Sequence, residues 1–150
     1  MSEASEQTEA ECVFCAAACS RDDPASLVVE RGEHCFVILN KFPYTNGHLM
    51  VAPYEHIGSL GDLPEQTTAE LMALVQRAIA ALDQAYAPHG YNVGCNQGRA
   101  AGAGVEGHVH MHVVPRWGGD TNFMPVLGDT RVMPQTLDQS FDVVKEALGN

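Results

Sequence analysis

Apolar residues along the chain change their spacing several times, and each change predicts an element. Leu27-Val28-Val29-Glu30 and Cys35-Phe36-Val37-Ile38-Leu39 flank Arg31-Gly32-Glu33-His34 and predict a β-hairpin. Gly47-His48-Leu49-Met50-Val51-Ala52 predicts a third strand, entered through the turn-rich Pro43-Tyr44-Thr45-Asn46-Gly47. From about Pro64 to Tyr86 the period becomes 3.6, with Leu71, Leu74, Val75, Ala78, Leu82 and Ala85 on one helical face and Pro88-His89-Gly90 ending it. Tyr91 to Asn96 and Glu106 to Val114 predict a fourth and a fifth strand, joined by a glycine-rich connection from Gln97 to Val105. Trp117 to Met133 is irregular. Pro134 then starts a last helix with Leu137, Phe141, Val144 and Leu148 on one stripe. The pattern predicts one α+β domain in which an antiparallel β-meander of about five strands is covered by a long central helix and a C-terminal helix.

Composition narrows this little but usefully. At 150 residues the chain is long enough to bury a core as a single domain, residues 12–150. Met1 to Glu11 has neither a basic start nor an apolar centre, and is expected to be a disordered tail, not a signal peptide. The five cysteines, Cys12, Cys15, Cys19, Cys35 and Cys95, are an odd number. With no sign of export, this favours free thiols and a cytoplasmic location. A net charge of −11 with only two lysines, Lys41 and Lys145, argues against nucleic acid and anionic membranes as partners. A small anionic ligand remains compatible, because imidazole, amide and backbone N–H groups can hold a phosphate.

The chemistry concentrates in His108-Val109-His110-Met111-His112-Val113-Val114, where three of the seven histidines alternate with apolar residues. On a strand, residues two apart share a face roughly 7 Å apart, so the imidazoles line up while Val109, Met111 and Val113 face the core. Three uses suit such a row. It can satisfy buried hydrogen bonds, it can chelate a metal through His-x-His with a further ligand, or its middle member, His110, can act as a covalent nucleophile.

The same residues resemble the His-φ-His-φ-His-φ-φ signature of the HIT (histidine triad) superfamily of nucleotidyl hydrolases and transferases. Cys12-Val13-Phe14-Cys15, Asn40, Gly47-His48-Leu49, Pro53-Tyr54-Glu55-His56 and Asn96-Gln97-Gly98 agree with it as well. Pro115-Arg116-Trp117-Gly118-Gly119-Asp120-Thr121-Asn122-Phe123-Met124-Pro125 is similar to the branch of bacterial diadenosine polyphosphate phosphorylases and hydrolases. The resemblance implies a HIT-like fold and a nucleotide substrate, with cleavage of dinucleoside polyphosphates at the α-phosphate through a nucleotidyl-histidine on His110. Purine nucleoside phosphoramidase activity is the alternative within the family. A non-enzymatic nucleotide-binding or zinc-stabilised interaction module is the alternative outside it.

By the same resemblance His112 donates to phosphate oxygens, His48 orients the triad, and Asn96 donates its amide to the phosphate. The backbone at Gly104 and Val105 approaches the leaving group. Phe36 and Ile38 flank the base and Asn40 holds the ribose, while Arg116 and Trp117, with Arg99 and Arg131 as further cations, meet the far end of the substrate. Cys12-x-x-Cys15 reads by itself as half a zinc site or a redox pair. The resemblance completes it with His56 and His108 as a structural zinc site, and implies a homodimer or higher homo-oligomer.

Overall fold

Five strands form one antiparallel sheet: β1 (Val28–Arg31), β2 (Cys35–Leu39), β3 (Leu49–Pro53), β4 (Gly90–Gly94) and β5 (Met111–Arg116). The computed structural model describes residues 8–120 and 135–149. The strand order is β1-β2-β3-β5-β4. Only β1 to β3 form a simple meander; β5 then lies between β3 and β4, so the chain runs β3–helix–β4 before β5 fills the gap. The helix of that crossover is α3 (Glu65–Tyr86), which follows short helices α1 (Val13–Cys19) and α2 (Asp23–Ser26). The last described helix is α4 (Leu137–Ala147).

The period-two alternation gives the sheet two different faces. Val29, Cys35, Val37, Leu39, Leu49, Val51, Met111 and Val113 pack in one core with the α3 stripe (Leu71, Leu74, Val75, Ala78, Ala81, Leu82) and with Phe141, Val144 and Leu148. Each large aliphatic side chain among them, removed from water, stabilises the fold by roughly 1.5–3 kcal/mol. The opposite face carries Val28, Phe36, Ile38, Met50 and Ala52 and is covered by Cys12, Phe14 and Ala17 from the N-terminal segment. Within the α3 stripe, Ala81 is buried while Ala85, expected on the stripe, is only half-buried.

Several boundaries differ from those the pattern predicts, each for a local reason. Helix α3 stops at Tyr86 because Ala87 adopts a left-handed backbone (φ 46°), before the Pro88-His89-Gly90 breaker is reached. Helix α4 begins at Leu137, where Thr136 and Gln139 form a reciprocal capping box; Pro134 lies outside the described residues. Strand β4 ends at Gly94 instead of Asn96, and β5 begins at Met111 instead of Glu106. The β3–β5 ladder runs only to Val51↔Met111. Beyond it β3 reaches Pro53, which has no N–H to donate, and Val109 turns its own N–H to the Ile57 carbonyl (2.7 Å). The first two triad histidines therefore precede the strand that carries the third.

Helices α1 and α2 follow no strong periodicity, and the sequence pattern does not mark them. Arg31 secures the first by donating to the carbonyls of Ala17, Ala18 and Ser20, each at 3.0 Å, while pairing with Asp23 at 2.9 Å. Carbonyls at a helix end lack the full set of intrahelical partners, and that of Ala17 otherwise receives only the Ser20 N–H of the last turn (3.2 Å). Part of the tail expected to be disordered is described: Glu9–Glu11 form a single 3₁₀ turn leading into α1. Of the irregular Trp117–Met133 segment, residues 121–133 lie outside the described part of the chain. No helix among the described residues is long and apolar enough to cross a membrane.

Candidate active site and metal centre

His108, His110 and His112 project from the face opposite the helical core, and their hydrogen bonds assign a protonation pattern. His108 Nε2 lies 2.7 Å from the Pro53 carbonyl, and His110 Nδ1 lies 2.9 Å from the His108 carbonyl. A carbonyl only accepts, so both nitrogens carry their protons. Neutral His108 then presents a lone pair at Nδ1, and neutral His110 presents one at Nε2. His48, at the entry to β3, has Nδ1 receiving the Tyr44 N–H (3.1 Å) and Nε2 lying 2.9 Å from His112 Nδ1. His48 therefore donates through Nε2, and His112 keeps its proton on Nε2.

Burial keeps this row neutral. His108, His110 and His48 are all buried, and desolvation lowers the pKa of each below that of free imidazole. His48 falls to about 4, because the neighbouring His112 and His110 also disfavour its charge. Desolvation first, and then His110, lowers His112 as well. Phe14 packs its ring 4.5 Å from that of His110, supplying part of the apolar wall. A neutral imidazole with a bare Nε2, next to a second imidazole carrying an N–H, can attack an electrophile and donate to the charge that develops.

Other residues expected at the site fall into three groups. Near the histidines is Asn40, whose Nδ2 is 3.5 Å from both ring nitrogens of His48 and whose backbone N–H donates to the His48 carbonyl. Asn96 is exposed two residues past the Gly94↔His112 pair that ends the β4–β5 ladder, with its Nδ2 on the side of Gly102. Gly104 has open space around it, and Val105 packs beside the Phe36–Met50 face. The second group is apolar and enclosed. Ile38 is buried, and Phe36 is fully so, stacked on Tyr54 at 5.4 Å. Phe36 thus lies behind the surface of this chain, as part of its floor.

The third group is committed elsewhere. Arg116 makes a two-pronged pair with Asp120 (2.9 and 2.8 Å), donates to Asn92 Oδ1 at 2.7 Å and lies over the Tyr44 ring. Arg99 is paired with Glu106 at 3.0 Å. Trp117 meets Tyr86 of α3 edge-on at 6.3 Å. Arg131 lies outside the described residues.

At the other end of the row, Cys12 and Cys15 converge with His56 and His108. Cys12 Sγ is 3.4 Å and Cys15 Sγ 3.5 Å from His108 Nδ1, and Cys15 Sγ is 3.3 Å from His56 Nδ1. All four donor atoms lie within 4.8 Å of one another. A tetrahedral zinc with bonds of about 2.0–2.3 Å has sulfur–nitrogen edges of about 3.5 Å. The three sulfur–nitrogen distances therefore match a metal of that class, and His108 presents the nitrogen that is free of the Pro53 bond. Glu33, His34 and Glu70 form a looser surface group. There Glu70 already accepts the backbone N–H groups of His34 and Cys35.

Nothing in the sequence pattern marks a role for Tyr44, Thr45 or Phe14. Tyr44 acts through a backbone amide and Pro53 through a backbone carbonyl, which residue type cannot reveal. Asp120 is legible in principle, as an acid four residues from Arg116.

Comparison with known proteins adds a lineage to this geometry. The HIT domain profile matches residues 21–119. An AP-4-A phosphorylase of Mycobacterium tuberculosis is 49% identical over 115 residues, which are 77% of this chain and 59% of that protein. The chain thus spans about three fifths of that relative's length. An uncharacterised HIT-like protein of Methanocaldococcus jannaschii is 33% identical over 109 residues, covering 73% of this chain and 81% of its own. Among solved structures, a Zn-bound histidine triad family protein from Mycobacterium smegmatis matches with a TM-score of 0.76 at 31% identity. That match covers 95% of this chain and 96% of the other.

Proposed function

The chain belongs to the HIT domain family, and on that premise we propose that it is a nucleotidyl hydrolase or transferase acting on dinucleoside polyphosphates. The observation that carries this reading is the bond from His110 Nδ1–H to the His108 carbonyl, which leaves a neutral, buried Nε2 as nucleophile. In the first displacement a P–N bond forms between His110 Nε2 and the α-phosphorus while the bond to the bridging oxygen breaks. In the second, an oxygen of water or phosphate bonds to that phosphorus as the P–N bond breaks, the proton of an attacking water passes to solvent, and His110 returns to its neutral form. His112 Nε2–H donates to a phosphate oxygen as charge builds there. Asn96 and the Gly104–Val105 backbone add neutral donors, which suits a chain poor in cations. Asn40 holds the ribose, and Ile38 forms the surface against the base, with Phe36 as its backing. The relative called an AP-4-A phosphorylase supports a polyphosphate substrate.

Cys12, Cys15, His56 and His108 would hold a structural zinc, a reading that the Zn-bound relative from Mycobacterium smegmatis supports. Zinc there would keep both thiols as thiolates and tie α1 to the triad segment. Association through the exposed β4 edge, where Val93 is 43% exposed, would give a homodimer. Sedimentation showing only monomer at micromolar concentration would remove that element.

The central test is incubation with diadenosine tetraphosphate, with and without phosphate, followed by chromatography of the products. His110→Asn should lower turnover by about 10³-fold or more while leaving the fold intact, since a missing covalent nucleophile has no substitute. Retention of a tenth of wild-type activity would refute the assignment of the nucleophile.

A further inference from the structure

The chain between Asn40 and His48 folds back on the histidine row and is fastened at both ends. The Tyr44 N–H donates to His48 Nδ1 at 3.1 Å, and the Thr45 carbonyl accepts the His48 backbone N–H at 3.2 Å. The Thr45 hydroxyl donates to the Pro115 carbonyl of β5 at 2.8 Å. That carbonyl belongs to the strand carrying His112, three residues further on. The loop is therefore held to β5 by a side chain and to His48 by its backbone.

A backbone amide can only donate. The His48 nitrogen that receives it must offer a lone pair, and in a neutral ring the proton then sits on Nε2. His48 Nε2–H in turn faces His112 Nδ1, which must accept, so the His112 proton moves to Nε2, the nitrogen on the far side of the ring. Reversing the first ring would set the Tyr44 N–H against a protonated Nδ1 and leave two donors facing each other, one of them on a buried ring. Asn40 cannot replace this control as strongly. Its Oδ1 accepts the Phe42 N–H at 2.9 Å, and its Nδ2 stands 3.5 Å from both nitrogens of His48, favouring neither.

We propose that Thr45 is a positioning residue whose hydroxyl, by holding the Tyr44 amide against His48, sets the tautomer in which His112 presents an N–H to the substrate. The activity half of this proposal rests on the function argued above; the tautomer half does not. The amide is the source of the asymmetry, and Thr45 keeps it in place.

The test is ¹⁵N NMR of the full-length protein labelled at histidine, with His48 assigned by the signals lost in His48→Gln. In the wild type, His48 Nδ1 should resonate as a bare nitrogen and Nε2 as a protonated one. Thr45→Val should move both toward the average of two tautomers and lower kcat for diadenosine tetraphosphate about 10-fold, a partial loss of a proton-donor contribution of roughly 10²–10⁴, with KM within about twofold. Thr45→Ser, which keeps the hydroxyl, should restore both readings. Thr45→Ala serves in place of the valine variant if that protein does not fold. A wild-type His48 protonated at Nδ1, ring signals unmoved in Thr45→Val, or failure of Thr45→Ser to restore them would each overturn the proposal. Absence of any turnover by the wild type would overturn the proposed function instead, and the ring signals would still decide the role of Thr45.

Discussion

Single residues in this protein act largely through which atom they leave free. His108 uses Nε2 on Pro53, its carbonyl on His110 and its Nδ1 toward two thiols, so one residue serves both ends of the site. Arg116 is the opposite case, with its guanidinium engaged by Asp120 and Asn92. A residue in that condition supports the turn after β5 more than it awaits a phosphate. Arg116→Ala is therefore expected to reduce kcat/KM on diadenosine tetraphosphate and on a small adenosine phosphoramidate by similar factors, and Asp120→Asn to reproduce the effect. A loss confined to the polyphosphate would show that Arg116 exchanges its partner for substrate. Residue types make the triad, the cysteine pair and Asn40 legible in the sequence. They cannot reveal that main-chain groups at Pro53 and Tyr44 fix the tautomers of His108 and His48.

At the level of elements, the strong periodicities are readable and the weak ones are not. The α3 stripe and the β1–β2 hairpin are marked because burial of one face imposes a pattern on many residues at once. Helix α1 is seven residues long and held by Arg31 and by its docking on Val28, Phe36 and Met50, contacts that are distant in sequence. The start of β5 falls later than the pattern predicts because the alternation of residue types continues through His108–His110 without a ladder partner. That segment is anchored instead by Pro53, Ile57 and the cysteine cluster. Cys15→Ser should consequently lose bound zinc and thermal stability together, because binding free energy at a structural site is also folding free energy. Elemental analysis and a melting curve on the same untagged samples check this, and zinc-free wild type after zinc addition would dispose of it.

For the molecule as a whole, buried neutral histidines make stability depend on pH in one direction. His48 titrates near 4 when folded and near 6.5 when free. Above about 6.5 both states are neutral and its contribution is complete. As pH falls from about 6.5 toward about 4, the unfolded chain takes a proton that the folded chain refuses, and stability declines. Urea titrations across that interval should give a steeper decline for wild type than for His48→Gln. Equal slopes would mean that His48 is not held neutral. The strong negative charge acts separately and over a longer range, opposing association at low salt.

Strand β5 places Met111 and Val113 in the helical core and His112 on the opposite face. Successive residues of one strand thus belong to unrelated tasks, cohesion and chemistry. A one-residue slip of this strand against β3, as an insertion or deletion just ahead of His112 would cause, exchanges the two sets, sending an imidazole into the core and an aliphatic side chain to the substrate. The segment can accordingly exchange residues within each set, His112 excepted, but not change its length. Its descendants can acquire new specificities by substitution, while a codon inserted or deleted there removes fold and activity in one event.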